Sequence, residues 1–421
     1  MRGSGRTESD SMYLTVSKRF EFSASVRPNR ADWSDRENLA YFGPGATSKY
    51  GYGNNYTAYF VFHGPVDRRT GMLVDLAIIK PRLLELLAQR YDHKFVNADT
   101  PPFDRIPPTP ENLAVHLLKD ASSLFSDITA RAVACHLDAT PAIGASAYTD
   151  SRVEREYWID FSAARRTYSP HLSDAENAAL FGVASSKMGH GHNYRLRVTV
   201  AGDFTPEEGQ IISHESSSAA LESLRAMLDH KNLNEEVPKL VGSPITTESL
   251  ARFTFQQLTA SLPVARVKLY EMPNFFAEYR FDRQSSLALE LPLQAAHRLH
   301  CDQLTDRENR AIYGKCNNPA GHGHGYRIEA TVGGMLDERT GTLFNLIDLQ
   351  NRLSKSLEPW QYRHLDLEIA DFSSTPSTGE NICLALWPRL NDALQSRLAR
   401  LRLWETPNNR FTLRKELPGA A

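Results

Sequence analysis

From residue 287 onward the spacing of apolar positions switches between two periods. Residues 292–299 and 326–332 alternate apolar and polar or β-branched side chains, as strands do. Leu346, Ile347, Leu349, Leu353 and Leu357 then recur at helical spacing, and 379–394 does likewise behind a Ser/Thr/Glu start. Residues 400–404 and 410–414 close the chain as strands. The order ββααββ predicts an antiparallel sheet with two helices on one face.

This pattern occurs three times. Phe161-Ser-Ala-Ala-Arg165 with Gly189-His-Gly-His-Asn-Tyr194 echoes Leu293-Gln-Ala-Ala-His297 with Gly321-His-Gly-His-Gly-Tyr326. Phe22-Ser-Ala-Ser-Val26 with Gly51-Tyr-Gly-Asn-Asn-Tyr56 is a fainter echo. Thr70-Gly-Met-Leu, Glu208-Gly-Gln-Ile and Thr340-Gly-Thr-Leu follow in the same order. Then come helix starts containing Glu111, Glu248 and Glu380, and finally Ala139-Thr-Pro, Glu271-Met-Pro and Glu405-Thr-Pro. The period of roughly 130 to 140 residues is that of a domain, not of a solenoid repeat. The copies are placed at 12–149, 152–283 and 287–415, with 150–156 and 280–286 as polar joints.

Composition narrows the class. The 421 residues suffice for about three domains. A net charge of −2 gives no electrostatic case for nucleic acid or an anionic membrane. No apolar run approaches the roughly 18 to 20 residues of a membrane span. Residues 1–10 read as a polar leader without a hydrophobic signal core. Four cysteines in so long a chain do not make a disulfide framework, and the expectation is a reduced, cytoplasmic protein. Cys301 and Cys383 carry no motif and are expected to be buried small residues.

The chemistry concentrates in the third copy. His322 and His324 point to one face if they lie on a strand, and a hairpin would bring His297 beside them. Three imidazoles with an open position form a catalytic zinc arrangement. Cys316, six residues before His322, would sit at its rim as a thiolate favoured by the dication. In the second copy Arg165 stands beside His190 and His192, and a guanidinium repels a metal ion.

These segments, above all Gly314-Lys-Cys-Asn-Asn-Pro-Ala-Gly-His-Gly-His324, resemble the 6-pyruvoyltetrahydropterin synthase family, which includes the 6-carboxytetrahydropterin synthases. The resemblance runs from about Tyr13 to Lys415 and implies an α+β tunnelling fold. Three tandem ββααββ units would close a pseudo-threefold antiparallel barrel with helices outside, and two chains would stack as a homodimer. It also implies zinc on His297, His322 and His324, Cys316 as base, and an Asp-His pair from a neighbouring unit. Copy three lacks that pair, with Gln361-Tyr362 in its place. Copy two carries Asp229-His230 but has Arg165 and Ala184 where a ligand and the cysteine belong. Copy one carries Asp92-His93 but Val26, Tyr52 and Asn54 in place of the ligands. A ring of three allows either neighbour to complete the copy-three site. Borrowing from the preceding copy accounts for both losses, so Asp229-His230 is the expected pair and Asp92-His93 the alternative. A pterin needs a carboxylate opposite its N–H edge, for which Glu405 and Glu271 are the candidates, with Thr378 as a further substrate contact. The implied reaction converts 7,8-dihydroneopterin triphosphate to 6-pyruvoyltetrahydropterin and triphosphate. A related pterin enzyme giving a 6-carboxy product or an aldolase-type cleavage, and a non-catalytic pterin- or zinc-binding scaffold, are the other readings.

Overall fold

The structure, a computed structural model, describes residues 12–415, so the leader read at 1–10 lies outside the described residues. The first copy supplies β1 (Met12–Val26), β2 (Tyr52–His63), β3 (Arg131–Thr140) and β4 (Ile143–Tyr148). The second supplies β5 (Val153–Arg165), β6 (His190–Ala201), β7 (Val264–Met272) and β8 (Phe275–Arg280). The third supplies β9 (Ser285–His297), β10 (His322–Gly334), β11 (Leu398–Thr406) and β12 (Asn409–Lys415). Each strand pairs antiparallel with the next, β4 with β5 and β8 with β9 across the joints. β12 then returns to β1, Met12 opposite Lys415, and closes a twelve-stranded barrel. Closure leaves the main strands no free edge.

Among the described residues, nine helices of eight residues or more lie outside: α1 (Asp35–Phe42), α2 (Leu76–Arg90), α3 (Pro110–Leu124), α4 (Asp174–Phe181), α5 (His214–Leu228), α6 (Thr247–Leu258), α7 (Asp306–Tyr313), α8 (Leu346–Leu357) and α9 (Gly379–Ala393). Alternation along the strands separates core from lumen. On β10, Tyr326, Ile328, Ala330 and Val332 are buried in the apolar core, whereas Arg327, Glu329 and Thr331 take the opposite face. The long excursion after each first strand starts a helix with a reciprocal cap: Ser34 with Glu37, Ser173 with Glu176, Thr305 with Glu308.

The joints are shorter than the sequence pattern predicts, because β5 begins at Val153 and β9 at Ser285. Glu154 and Glu156 looked like linker residues, but they are strand residues turned into the lumen and paired with Arg266 and Arg197. Contacts between copies run one way round the ring. Thr109, Thr246 and Thr378, each the N-cap of its copy's second long helix, donate to the carbonyls of Gly209, Gly341 and Gly71 in the next copy. Copy one is thus the neighbour that covers copy three's helix start.

Candidate metal centre and active site

His297 ends β9 and His322 begins β10, and the register sets them opposite one another. His324 follows on the same face. Nitrogens of the three imidazoles all lie within 4.8 Å of one another, and Nε2 of His297 is 3.1 Å from Nε2 of His322. Two nitrogens on one tetrahedral zinc at about 2.0–2.1 Å would stand roughly 3.3 Å apart, so the spacing suits a shared cation. Gly321 makes the approach possible. Its φ is +71°, and a Cβ there would lie 2.6 Å from His364 Nε2 and 3.0 Å from the His297 carbonyl oxygen.

His297 is fully buried, and burial pulls its pKa down to about 4, so the ring is neutral at pH 7. Its Nδ1 donates to the Ser377 carbonyl at 3.1 Å, which leaves the Nε2 lone pair facing His322. Ser377 is held in turn by Asp366, whose Oδ2 accepts from Ser377 Oγ and from the Arg298 amide, each at 2.8 Å. Asn97 and Asn234 take that place in the other copies, accepting from the Arg27 and Arg166 amides. The carboxylate thus stands only behind the three-histidine copy. The sequence reading missed Asp366 and Ser377, and the one available signal was the Asn, Asn, Asp difference between copies. His324 Nε2 and His322 Nδ1 are buried with no hydrogen-bond partner among the described residues. Leaving such groups unmet costs about 1–3 kcal/mol each, so the cluster fits a cation that would engage ring nitrogens.

Cys316 lies in the 3₁₀ turn Gly314–Asn317 after α7, tied down where the Leu299 amide donates to its carbonyl at 3.0 Å. Its half-buried side chain packs in a small apolar cluster that includes Met72 of copy one. Burial pushes the thiol up, Glu405 adds to this, and Lys315 opposes it. A thiolate at neutral pH therefore rests on a bound cation rather than on the protein's own charges. Glu405 Oε1 is 3.8 Å from His324 Nε2, and its Oε2 accepts from Asn409 Nδ2 at 3.1 Å. The Thr378 hydroxyl is occupied, donating to Gly71 at 2.6 Å and capping α9. Beside it, buried Glu380 accepts the Leu73 amide at 2.9 Å, and burial raises its pKa to about 7.

The other two copies have filled their sites with protein side chains. In copy two, Arg165 Nη2 is 2.5 Å from Glu271 Oε2, and His192 Nε2 is 3.0 Å from Glu271 Oε1. Burial alone would raise Glu271; Arg165 and His192 outweigh it and hold the carboxyl at about 2. His190, His192 and Glu271 are close enough to hold a metal, but the Arg165 guanidinium is bonded to their carboxylate. In copy one, Glu111 pairs with buried Arg155 of copy two at 2.6 Å, and Asn54 donates to the Tyr56 hydroxyl at 3.2 Å.

The Asp-His pairs clamp backbone as well as carrying imidazoles. Asp92 accepts the Ser23 amide at 2.9 Å, and Asp229 the Ser162 amide at 2.8 Å. Gln361 keeps this clamp in copy three, accepting the Gln294 amide at 2.9 Å. His93, His230 and Tyr362 all have φ near +60° and are exposed. In each copy the segment just after the pair runs beside the outer edge of the first strand, Lys94 alongside Ala24, while β2 takes the inner edge. That outer edge faces the preceding copy in the ring. On β1 it meets copy three, where the Arg19 amide donates to the Asn408 carbonyl and Lys18 Nζ reaches Asn409 Oδ1 at 2.5 Å, just past Glu405. Asp92-His93 thus lies on the side of the three-histidine cluster. Asp229-His230 lies toward copy one, with α5 against α1, and Tyr362 toward copy two. For Asp229-His230 to serve the cluster, it would have to reach across β6, β7 and β8.

A profile of the family described as 6-pyruvoyl tetrahydropterin synthase matches residues 15–147, 155–282 and 286–416. The human 6-pyruvoyl tetrahydrobiopterin synthase is 36% identical over 128 residues, 30% of this chain and 88% of the human protein. The Poecilia reticulata protein of the same name is 40% identical over 124 residues, 29% of this chain and 84% of its own length. The solved structure of Caenorhabditis elegans 6-pyruvoyl tetrahydropterin synthase aligns at 33% identity over 32% of this chain and 96% of that one, with a TM-score of 0.31. The chain is a member of the 6-pyruvoyl tetrahydropterin synthase family, built as three tandem copies.

Proposed function

We propose that the chain is a zinc-dependent lyase of the 6-pyruvoyltetrahydropterin synthase type. It converts 7,8-dihydroneopterin triphosphate to 6-pyruvoyltetrahydropterin and triphosphate at one composite site per chain. The observation that carries this reading is the convergence of His297, His322 and His324 in one copy only, the copy that also carries Cys316. The three imidazoles would hold the zinc, which when bound supplies a Lewis acid that polarises the substrate's side-chain oxygens and acidifies the neighbouring C–H. Cys316 takes and returns the proton at carbon. Asp92 orients His93, 3.0 Å away, as the second acid-base group, contributed across the seam by copy one. Glu405 receives the N–H edge of the pterin through paired hydrogen bonds. Glu271, tied to Arg165, has no such role in copy two.

Among the described residues no helix is long and apolar enough to cross a membrane, and the proposed setting is cytoplasmic. Two chains stack ring on ring as a homodimer. The test is to incubate purified protein with dihydroneopterin triphosphate, measure triphosphate release and identify the pterin by mass. A 6-carboxy or shortened pterin would move the reading to a related enzyme, and no turnover would reduce it to a binding scaffold.

A further inference from the structure

The barrel lumen holds a second charged assembly, and its three walls differ. On the copy-two wall the charges close among themselves: Arg266 grips Glu154 at 2.8 and 2.6 Å, and Lys268 pairs with Glu278 at 3.3 Å. The copy-one wall carries His136 and Ala134 where copy two has Lys268 and Arg266. The copy-three wall is unbalanced. Arg400 and Arg402 both lean on Glu329 Oε1, at 3.3 and 3.4 Å. Arg410, on the neighbouring strand, has no carboxylate within 4.0 Å among the described residues and donates to Ser17 Oγ at 3.1 Å. Two guanidinium groups therefore share one carboxylate, and the third contacts none.

The geometry of the donors adds an independent sign. The Nε atoms of Arg400 and Arg402 are buried with no acceptor among the described residues, as is Nε of Arg197 on the copy-two wall, whose charge Glu156 already meets. A charged donor left unmet in a buried position is rare and marks a place for an ion or water. The arginines also feel one another: burial and then Arg400 pull the pKa of Arg402 down to about 9. A twelve-stranded barrel is wider than the eight-stranded ones that side chains fill, and narrower than the roughly 16-stranded ones that hold a broad channel. At the strand position that Arg410 holds in copy three, copy one has Gly144, against which the Leu137 carbonyl and the Asp138 and Glu156 carboxylates pack.

We propose that the Arg400, Arg402 and Arg410 wall binds a phosphate-class oxyanion inside the lumen, separate from the three-histidine cluster. Planar guanidinium forks match the oxygens of phosphate, and such an anion would meet both orphaned donors while offsetting the surplus charge. The same chemistry could come from free phosphate or from a polyphosphate chain, and the experiment separates them. Titrate the full-length chain by calorimetry with inorganic phosphate and with tripolyphosphate, at an ionic strength fixed with sodium chloride. Saturable binding is expected, at least tenfold weaker in Arg402→Gln and in Arg410→Gln, and unchanged in His322→Ala. Tripolyphosphate binding tighter than phosphate would assign the wall to a chain of phosphates; equal affinities would assign it to the free ion. Arg410 has no ion-pair partner, so its variant should fold even if Arg402→Gln does not. The proposal is overturned if wild type binds neither probe at millimolar concentration, or if Arg410→Gln binds as tightly as wild type.

Discussion

A carboxylate that touches no ring nitrogen sets up the three-histidine cluster: Asp366 holds Ser377, and Ser377 accepts from His297 Nδ1. Asp366→Asn keeps the shape that Asn97 and Asn234 already have, but removes the charge behind the relay. Zinc affinity should fall about 10- to 100-fold, the usual cost of losing such support. Competition with a chromophoric chelator measures it, and an unchanged affinity would dismiss the relay. Cys316→Ala should abolish turnover with zinc still bound, because the thiol is assigned as base and not as ligand; loss of metal in that variant would reverse the assignment. The histidines were readable in the sequence because a period of two puts His322 and His324 on one face. Asp366 was not, since it acts through a residue eighty positions from His297.

Strands and long helices followed the apolar periodicity, and α8 occupies the predicted residues, 346–357. The joints failed for a physical reason. Inward carboxylates on a barrel with a charged lumen carry the polarity of a linker, so Glu154 and Glu156 hid the start of β5. These buried ion pairs also govern acid stability. Burial alone would raise Glu154, but Arg266 and Arg152 hold it at about 2 against an ordinary 4.5. Its folded pKa is depressed, so its stabilising contribution is complete above about pH 4.5 and is lost as pH falls from there through 2. Arg266→Gln should therefore lower the melting temperature most near pH 7, and its gap to wild type should narrow below pH 4.5. A gap constant from pH 7 to pH 3 would show that the pair does not titrate as described.

At the scale of the whole molecule, one of the three copies carries the three-histidine cluster, and all three are needed to close the ring. One zinc per chain is the expected stoichiometry by elemental analysis. A value near two would show that His190, His192 and Glu271 recruit metal despite Arg165. The repeat and the barrel were legible from the recurring motifs, but the direction of the ring was not. Sequence economy favoured Asp229-His230, whereas the strand order puts Asp92-His93 on the edge of β1 that faces copy three. Copy two's filled site then faces the lost pair of copy three, and Asp229-His230 persists beside a copy-one site that Arg155 fills. The most direct test is triphosphate release from dihydroneopterin triphosphate by His93→Ala and His230→Ala side by side. His93→Ala should lose on the order of 10²–10⁴ in rate, the worth of a positioned acid-base group, while His230→Ala stays within about threefold of wild type. The opposite ranking, or two variants as fast as wild type, would contradict a site completed by copy one.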